Sequence, residues 1–246
     1  MKSIKKRIMA LVMSLCMIVS VFPATVLAVT EIPIEGTALQ YHFELSEMDE
    51  VTGEIFQKLV ISVNPDSESD NFDISGRPWT SADMVQEVVI KEGVTGIGDN
   101  AFSNMTNLET LTIENPSLIT SIGDSAFSGD SRLEIDNLDL SSVIELGEGA
   151  FRNCSNISGT LTLSSELTEI PNSAFYNCGF SSVSIPDSVE KIGDSAFYSN
   201  NLTTIAIPSN VTEVGSSAFA SNSIARVILN DGLVRIGEGA FQYNPL

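Results

Sequence analysis

Apolar positions recur in a fixed order from residue 85 to the end of the chain. Each round opens on an alternating triplet: Val88-Val89-Ile90, Leu111-Thr112-Ile113, Leu138-Asp139-Leu140, Leu161-Thr162-Leu163, Val183-Ser184-Ile185, Ile205-Ala206-Ile207 and Val227-Ile228-Leu229. A lone apolar residue follows (Ile97, Ile122, Leu146, Ile170, Ile192, Val214, Ile236). Five residues later comes Ala-Phe, with the rings at Phe102, Phe127, Phe151, Phe175, Phe197, Phe219 and Phe241. A last apolar residue closes the round: Leu108, Leu133, Ile157, Phe180, Leu202, Ile224 and Leu246. The phenylalanines are 25, 24, 24, 22, 22 and 22 residues apart. Period two in the triplet predicts a short strand with its outer members buried. Glycine follows the lone apolar residue in six rounds and Pro171 in the other, so the chain turns there. Asp99, Asp124 and Asp194 stand where helix N-caps would, and a turn or two of helix is expected to carry each Phe inward.

One such unit cannot bury its apolar face alone. Stacked units share a core, a row of Phe rings and a parallel sheet. Periods of 20–29 residues are those of leucine-rich repeats. The expected fold is therefore a leucine-rich-repeat solenoid, a β-rich α/β horseshoe with a parallel sheet on one face and short helical turns on the other. The pattern Val-x-x-Ile-Gly-x-x-Ala-Phe, as in residues 189–197 with Ile185-Pro186 before it, is similar to the BspA-like leucine-rich repeat of bacterial surface proteins. The resemblance covers roughly residues 85–246. It implies a secreted or wall-attached protein, and some members look like adhesins for host matrix proteins.

The first residues follow another logic. Lys2, Lys5, Lys6 and Arg7 precede an apolar run and then Val26-Leu27-Ala28, the order of a secretory signal peptide cleaved after Ala28. The run is shorter than the roughly 20 residues of a membrane span. Residues 29–84 are expected to form an N-terminal β-hairpin cap, with strands at 41–45 and 58–63 joined through Thr52-Gly53. Trp79, the only tryptophan, is placed to plug the first repeat. Residues 85–246 hold the repeats. They are expected to stop short of a C-terminal cap, with further domains downstream, because solenoids need polar end units.

The formal net charge is −20, and loss of the four basic residues in 1–28 takes it to −24. Such a chain repels nucleic acid and anionic membranes. Two cysteines remain after cleavage, Cys154 and Cys178, too few for a disulfide scaffold. Both fall three residues after a Phe, in a column that otherwise holds Met105, Asp130, Asn200, Asn222 and Asn244. That column suits an asparagine ladder with free, buried thiols.

Catalysis finds little support, and no enzyme is expected. The one histidine, His42, lies in an expected cap strand, and no Gly-x-Ser-x-Gly, His-Glu-x-x-His or Cys-x-x-Cys is present. Gly96-Ile97-Gly98-Asp99-Asn100-Ala101 matches a dinucleotide fingerprint in letters only, being the repeat's own turn. Acidic candidates for Ca²⁺ are the segment 66–73 and the column Asp99, Asp124, Glu148, Asp194 and Glu238. The segment lacks the glycine and final glutamate of an EF-hand, and capping accounts for the column's aspartates, so no cofactor or metal is expected.

Alternation places Thr110, Thr112, Asn137, Asp139, Thr160, Thr162, Ser182, Ser184, Thr204, Ala206, Arg226 and Ile228 on the outer side of the sheet. This hydroxyl-rich face without aromatics suits a broad, multivalent contact better than a tight pocket. Tyr176 and Tyr198, each after a repeat Phe, form a candidate aromatic pair. The leading expectation is an extracellular binding or adhesion module with a protein or matrix partner. A structural spacer, or the non-catalytic part of a longer secreted enzyme, stands as the alternative.

Overall fold

The computed structural model describes residues 31–35, 37–48, 55–67, 73–74, 77, 79 and 82–246. The expected signal peptide, residues 1–28, and the expected Thr52-Gly53 connection lie outside these residues, as do residues 68–72 of the acidic segment. The repeats coil into a parallel-strand β-solenoid of about seven turns. Before them come β1 (Ile32–Pro33), β2 (Leu39–Met48), β3 (Ile55–Val63) and β4 (Asp73–Ile74). The first three turns hold β5 (Val85–Ile90), β6 (Gly96–Ile97), β7 (Thr110–Ile113), β8 (Ser121–Ile122), β9 (Ile135–Asp136), β10 (Asp139–Leu140) and β11 (Glu145–Leu146). The last four hold β12 (Ile157–Leu163), β13 (Glu169–Ile170), β14 (Gly179–Ser184), β15 (Lys191–Ile192), β16 (Thr204–Ala206), β17 (Glu213–Val214), β18 (Arg226–Ile228) and β19 (Arg235–Ile236).

The apolar triplets form one face. There β3, β5 and β7 run parallel, then β10, β12 and β14 with β9 beside β12, then β16 and β18. The lone apolar residues lie not in mere turns but in a second parallel ladder of two-residue strands, β4-β6-β8-β11 and β13-β15-β17-β19. Glycine follows that ladder because neighbouring turns nearly touch. A Cβ on Gly215 would sit 2.5 Å from the Asp194 nitrogen, and one on Gly193 2.6 Å from the Asn172 nitrogen.

The expected helical turns do not form: the described residues contain no α-helix, only 3₁₀ turns at Ala82–Met84 and Pro116–Leu118. The cause lies in the residues two before and two after each Phe. All fourteen have positive φ, as in Asn100 (56°) and Asn104 (57°), or Ser195 (55°) and Ser199 (58°). A left-handed residue every fourth position interrupts any helix; Gly and Asn tolerate it best and fill seven of the fourteen places, six Ser and Tyr243 the rest. Turn bonds such as Met105 N–H to the Phe102 carbonyl (3.2 Å) alternate with bonds along the stack. Thus Asn100, Phe102 and Asn104 donate to the carbonyls of Asp124, Ala126 and Ser128 at 2.7–2.8 Å. Each non-Gly left-handed residue costs about 1–2 kcal/mol. The gain of a hydrogen bond is similar, about 0.5–1.5 kcal/mol, but a buried N–H left unpaired costs more, and that decides the geometry.

Beneath these turns the Phe rings stack face to face, with centroids 5.1–5.9 Å apart from Phe102 to Phe241. Six are fully buried, and Phe241 in the last turn is half-buried. Trp79 extends the row, stacked on Phe102 at 5.1 Å and meeting Tyr41 edge-on. The N-terminal strands β2 and β3 pair antiparallel as a hairpin, and β3 then pairs parallel with β5. The hairpin thus joins the first repeat through its backbone, while Trp79 covers the end of the aromatic row.

Candidate binding face

Every residue expected on the outer side of the sheet is exposed, from Thr110 and Thr112 to Arg226 and Ile228. Register sets them in rows. Thr160 lies beside Ser182, and Thr204 beside Arg226. Asp139, Thr162 and Ser184 form a second row. Asn137 departs from the pattern. It is exposed but left-handed (φ 67°), and its Oδ1 accepts the Thr160 N–H at 2.9 Å. Opposite charges on neighbouring turns pair at the surface: Lys91 with Glu114 (2.6 Å), Lys191 with Glu169 (2.7 Å) and Arg235 with Glu213 (2.7 Å). The hydrogen bond and charge of Glu114 raise the Lys91 pKa, and those of Lys91 lower that of Glu114.

Tyr176 and Tyr198 stack 4.8 Å apart and nearly parallel, and Arg152 lies 5.1 Å over the Tyr176 ring. Both rings are half-buried. This is a side-chain ladder like the Phe row beneath it, capped at one end by a cation.

The acidic column works between turns and not as helix caps. Asp99, Asp124 and Asp194 accept the N–H of Asp124, Glu148 and Ser216 at 2.6–2.7 Å, while Glu148 accepts from Asn172 at 3.0 Å. Among the described residues no group of three His, Cys, Asp or Glu side chains is placed to hold a metal. His42 lies between Glu31 (2.9 Å) and Glu44 (3.3 Å) on the hairpin. The Gly96–Ala101 stretch is strand and turn with no helix after it.

The buried column behind the Phe turns is an asparagine ladder. Asn200, Asn222 and Asn244 donate to the carbonyls of Phe175, Phe197 and Phe219, each at 2.8 Å. In return they accept the N–H of Phe180, Leu202 and Ile224 at 2.9–3.1 Å. Cys154 and Cys178 are free and buried, their thiols donating to the Phe127 and Phe151 carbonyls at 2.9 and 3.1 Å. Burial pushes Cys154 well above the ordinary thiol range and Cys178 up to about 12, so neither is a ready nucleophile. Asp130 takes the same place, wholly buried, accepting the Met105 N–H at 2.7 Å while its other oxygen has no partner.

The family profile of the BspA type Leucine rich repeat region matches six copies, over residues 74–176 and 131–246. The chain belongs to the BspA-type leucine-rich repeat family. Its fold is similar to the crystal structure of a leucine rich cell surface protein from Faecalibacterium prausnitzii A2-165. The TM-score is 0.54 and the identity 22%, over 86% of this chain and 73% of that one. The pneumococcal vaccine antigen PcpA is similar with TM-score 0.49 and 18% identity, over 86% of this chain and 67% of that one. A leucine-rich repeat protein from Bacteroides ovatus gives 0.33 and 18%, over 82% and 78%. No curated protein matches the chain. Among the described residues no helix is long and apolar enough to cross a membrane.

Sequence reasoning on this BspA-type repeat missed the second ladder and the partnerless oxygen of Asp130. The ladder was hidden because two-residue strands are too short to show alternation. Asp130 carried a visible signal, a carboxylate in a column otherwise neutral.

Proposed function

We propose that this chain is an extracellular binding module of a cell-surface repeat protein, presenting its hydroxyl-rich sheet face to a protein or matrix partner. One observation carries the reading. Within the ladders β10-β12-β14 and β16-β18 the outward residues of the sheet are exposed and held in register, whereas neighbours such as Leu161, Leu163 and Ile205 are buried. A row of short polar side chains on paired strands costs little entropy to present and repeats one contact along its length. The one positive group among the predicted face residues, Arg226, sits at the end of a row, so contacts are expected to be individually weak.

The test is binding of the full chain to immobilised extracellular-matrix proteins at physiological salt. Saturable binding that survives the salt supports the reading. No binding to any matrix protein favours the spacer, for which the lack of Trp and Tyr on the face speaks. An activity borne by a longer product would instead fit the non-catalytic part of a secreted enzyme.

A further inference from the structure

The sheet face is broken at two places, between β7 and the third turn and between β14 and β16, and a crevice opens beside the first. The ladder of β3 and β5 ends at β7, and no strand pairs with the other side of β7 among the described residues. The second and third turns remain bonded elsewhere: β8 pairs with β11, and the Phe127 N–H donates to the Ala150 carbonyl at 2.8 Å. The cause is local. Asn137 is left-handed and splits the third strand into β9 and β10, which pair only with β12 in the next turn. Gly159 in β12 leaves room for the Asp136 and Asn137 side chains.

The break leaves a mark on burial. Leu111 and Ile113 are only half-buried, as is Val183 in β14 beside the second break, whereas Val88, Ile90, Leu161 and Leu163, in strands paired on both sides, are buried. At the first break opens an apolar crevice lined by Leu111, Ile113, Leu138, Leu140 and Val143, with Asp139 and Ser142 as polar members. Its inner part measures about 50 Å³. At roughly 10–15 Å³ per water that is about three to five waters, room for one aliphatic side-chain end. So apolar a lining offers water few partners and favours a hydrocarbon occupant. Leu118 and Ile144, each next in sequence to a residue of the apolar cluster, are also exposed, at 36% and 48%. The surroundings are acidic: residues 101–150 hold nine Asp and Glu against one basic residue, Arg132.

We infer that this crevice is an anchor site for an extended segment of a partner polypeptide, taking one aliphatic side chain flanked by Lys or Arg. The aliphatic group fills the gap left by the missing ladder, and the free edge of β7 offers main-chain groups to the segment. Asp139, exposed at the crevice, faces the cationic flank. The inference rests on the reading of the chain as a polypeptide-binding module.

The experiment is an NMR titration of the full chain, with labelled methyl groups, against the blocked peptide Lys-Thr-Lys-Leu-Lys-Thr-Lys and its Leu-to-Ser analogue. The leucine peptide is expected to shift the methyls of Leu111, Ile113 and Leu138 saturably, at least tenfold more tightly than the serine analogue. Ile113→Phe, which fills the mouth from a half-buried position, is expected to abolish that preference. Asp139→Asn keeps the bond to the Ser141 N–H and is expected to weaken binding a few-fold without changing the melting temperature. Equal binding of both peptides, or a preference unchanged in Ile113→Phe, would mean mere attraction to an acidic surface and overturns the inference. So does the absence of any shift at these methyls. In either case matrix binding identical in wild type and Ile113→Phe leaves the wider reading standing, whereas no matrix binding by either removes both.

Discussion

Asp130 is the position where a single substitution says most about how the turns are held. Asn200, Asn222 and Asn244 in this column each donate to two or three backbone carbonyls and accept from one N–H. A carboxylate at Asp130 can only accept, and one of its oxygens has no partner. Burial pushes its pKa up to about 8, against the lowering effects of the Met105 N–H and the Arg77 charge. In the unfolded chain the value is about 3.9. The folded protein therefore holds a proton that the unfolded chain releases between about pH 4 and pH 8. Its contribution is fully present below pH 4 and is lost as the pH rises through about 8. At about 1.4 kcal/mol per pH unit, the loss between pH 4 and pH 7 amounts to about 4 kcal/mol. Asp130→Asn restores the donor without the charge. Its stability relative to wild type should be close to zero at pH 4 and rise to about 4 kcal/mol at pH 7. Urea unfolding at a series of pH values, followed by circular dichroism and by Trp79 fluorescence, measures the difference. A gap independent of pH, or a wild type that gains on the variant as pH rises, would refute the argument.

The remaining predictions concern the core and the turns. Phe197→Ala should cost about 3–5 kcal/mol in urea unfolding, because the ring is fully buried between Phe175 and Phe219. The same change at half-buried Phe241 should cost clearly less. Gly215→Ala should destabilise by about 1–3 kcal/mol, since the new methyl must push two turns apart. Cys154 and Cys178 should resist alkylation at pH 8 in the folded chain and react quickly in denaturant, because both are buried with raised pKa values. Reductant and chelator should each leave the melting temperature within a few degrees. A large fall in chelator would point to a metal on the segment 66–73.

The solenoid, the stacked Phe row and the exposed rows were legible because each rests on a periodicity repeated seven times. Trp79 was legible as the one ring of a size to end that row. The turns were misread for a physical reason. Asp before Ala-Phe looks like a helix cap, yet the deciding signal was the short residues two before and two after the Phe, Gly, Asn or Ser at all but Tyr243, which turn left-handed. Once those residues turn left-handed, the aspartates cap the neighbouring turn and not their own. The break beside β7 was present in the sequence as Asp136-Asn137 inside a strand position. Its consequence, the crevice, depends on how neighbouring turns register, which one repeat read alone does not reveal.

Whether the sheet face meets the proposed partner is decided by a paired set of variants. Thr160→Gln, Thr162→Gln, Ser182→Gln and Ser184→Gln together crowd the face without adding charge. Thr168→Gln and Thr212→Gln, also exposed, crowd the surface beside the second ladder. Affinity for a matrix protein that the wild type binds, measured for both sets at equal stability, should fall at least tenfold in the first and stay within twofold in the second. Affinity unchanged in the first set, or a loss confined to the second, would mean that the partner does not meet this face.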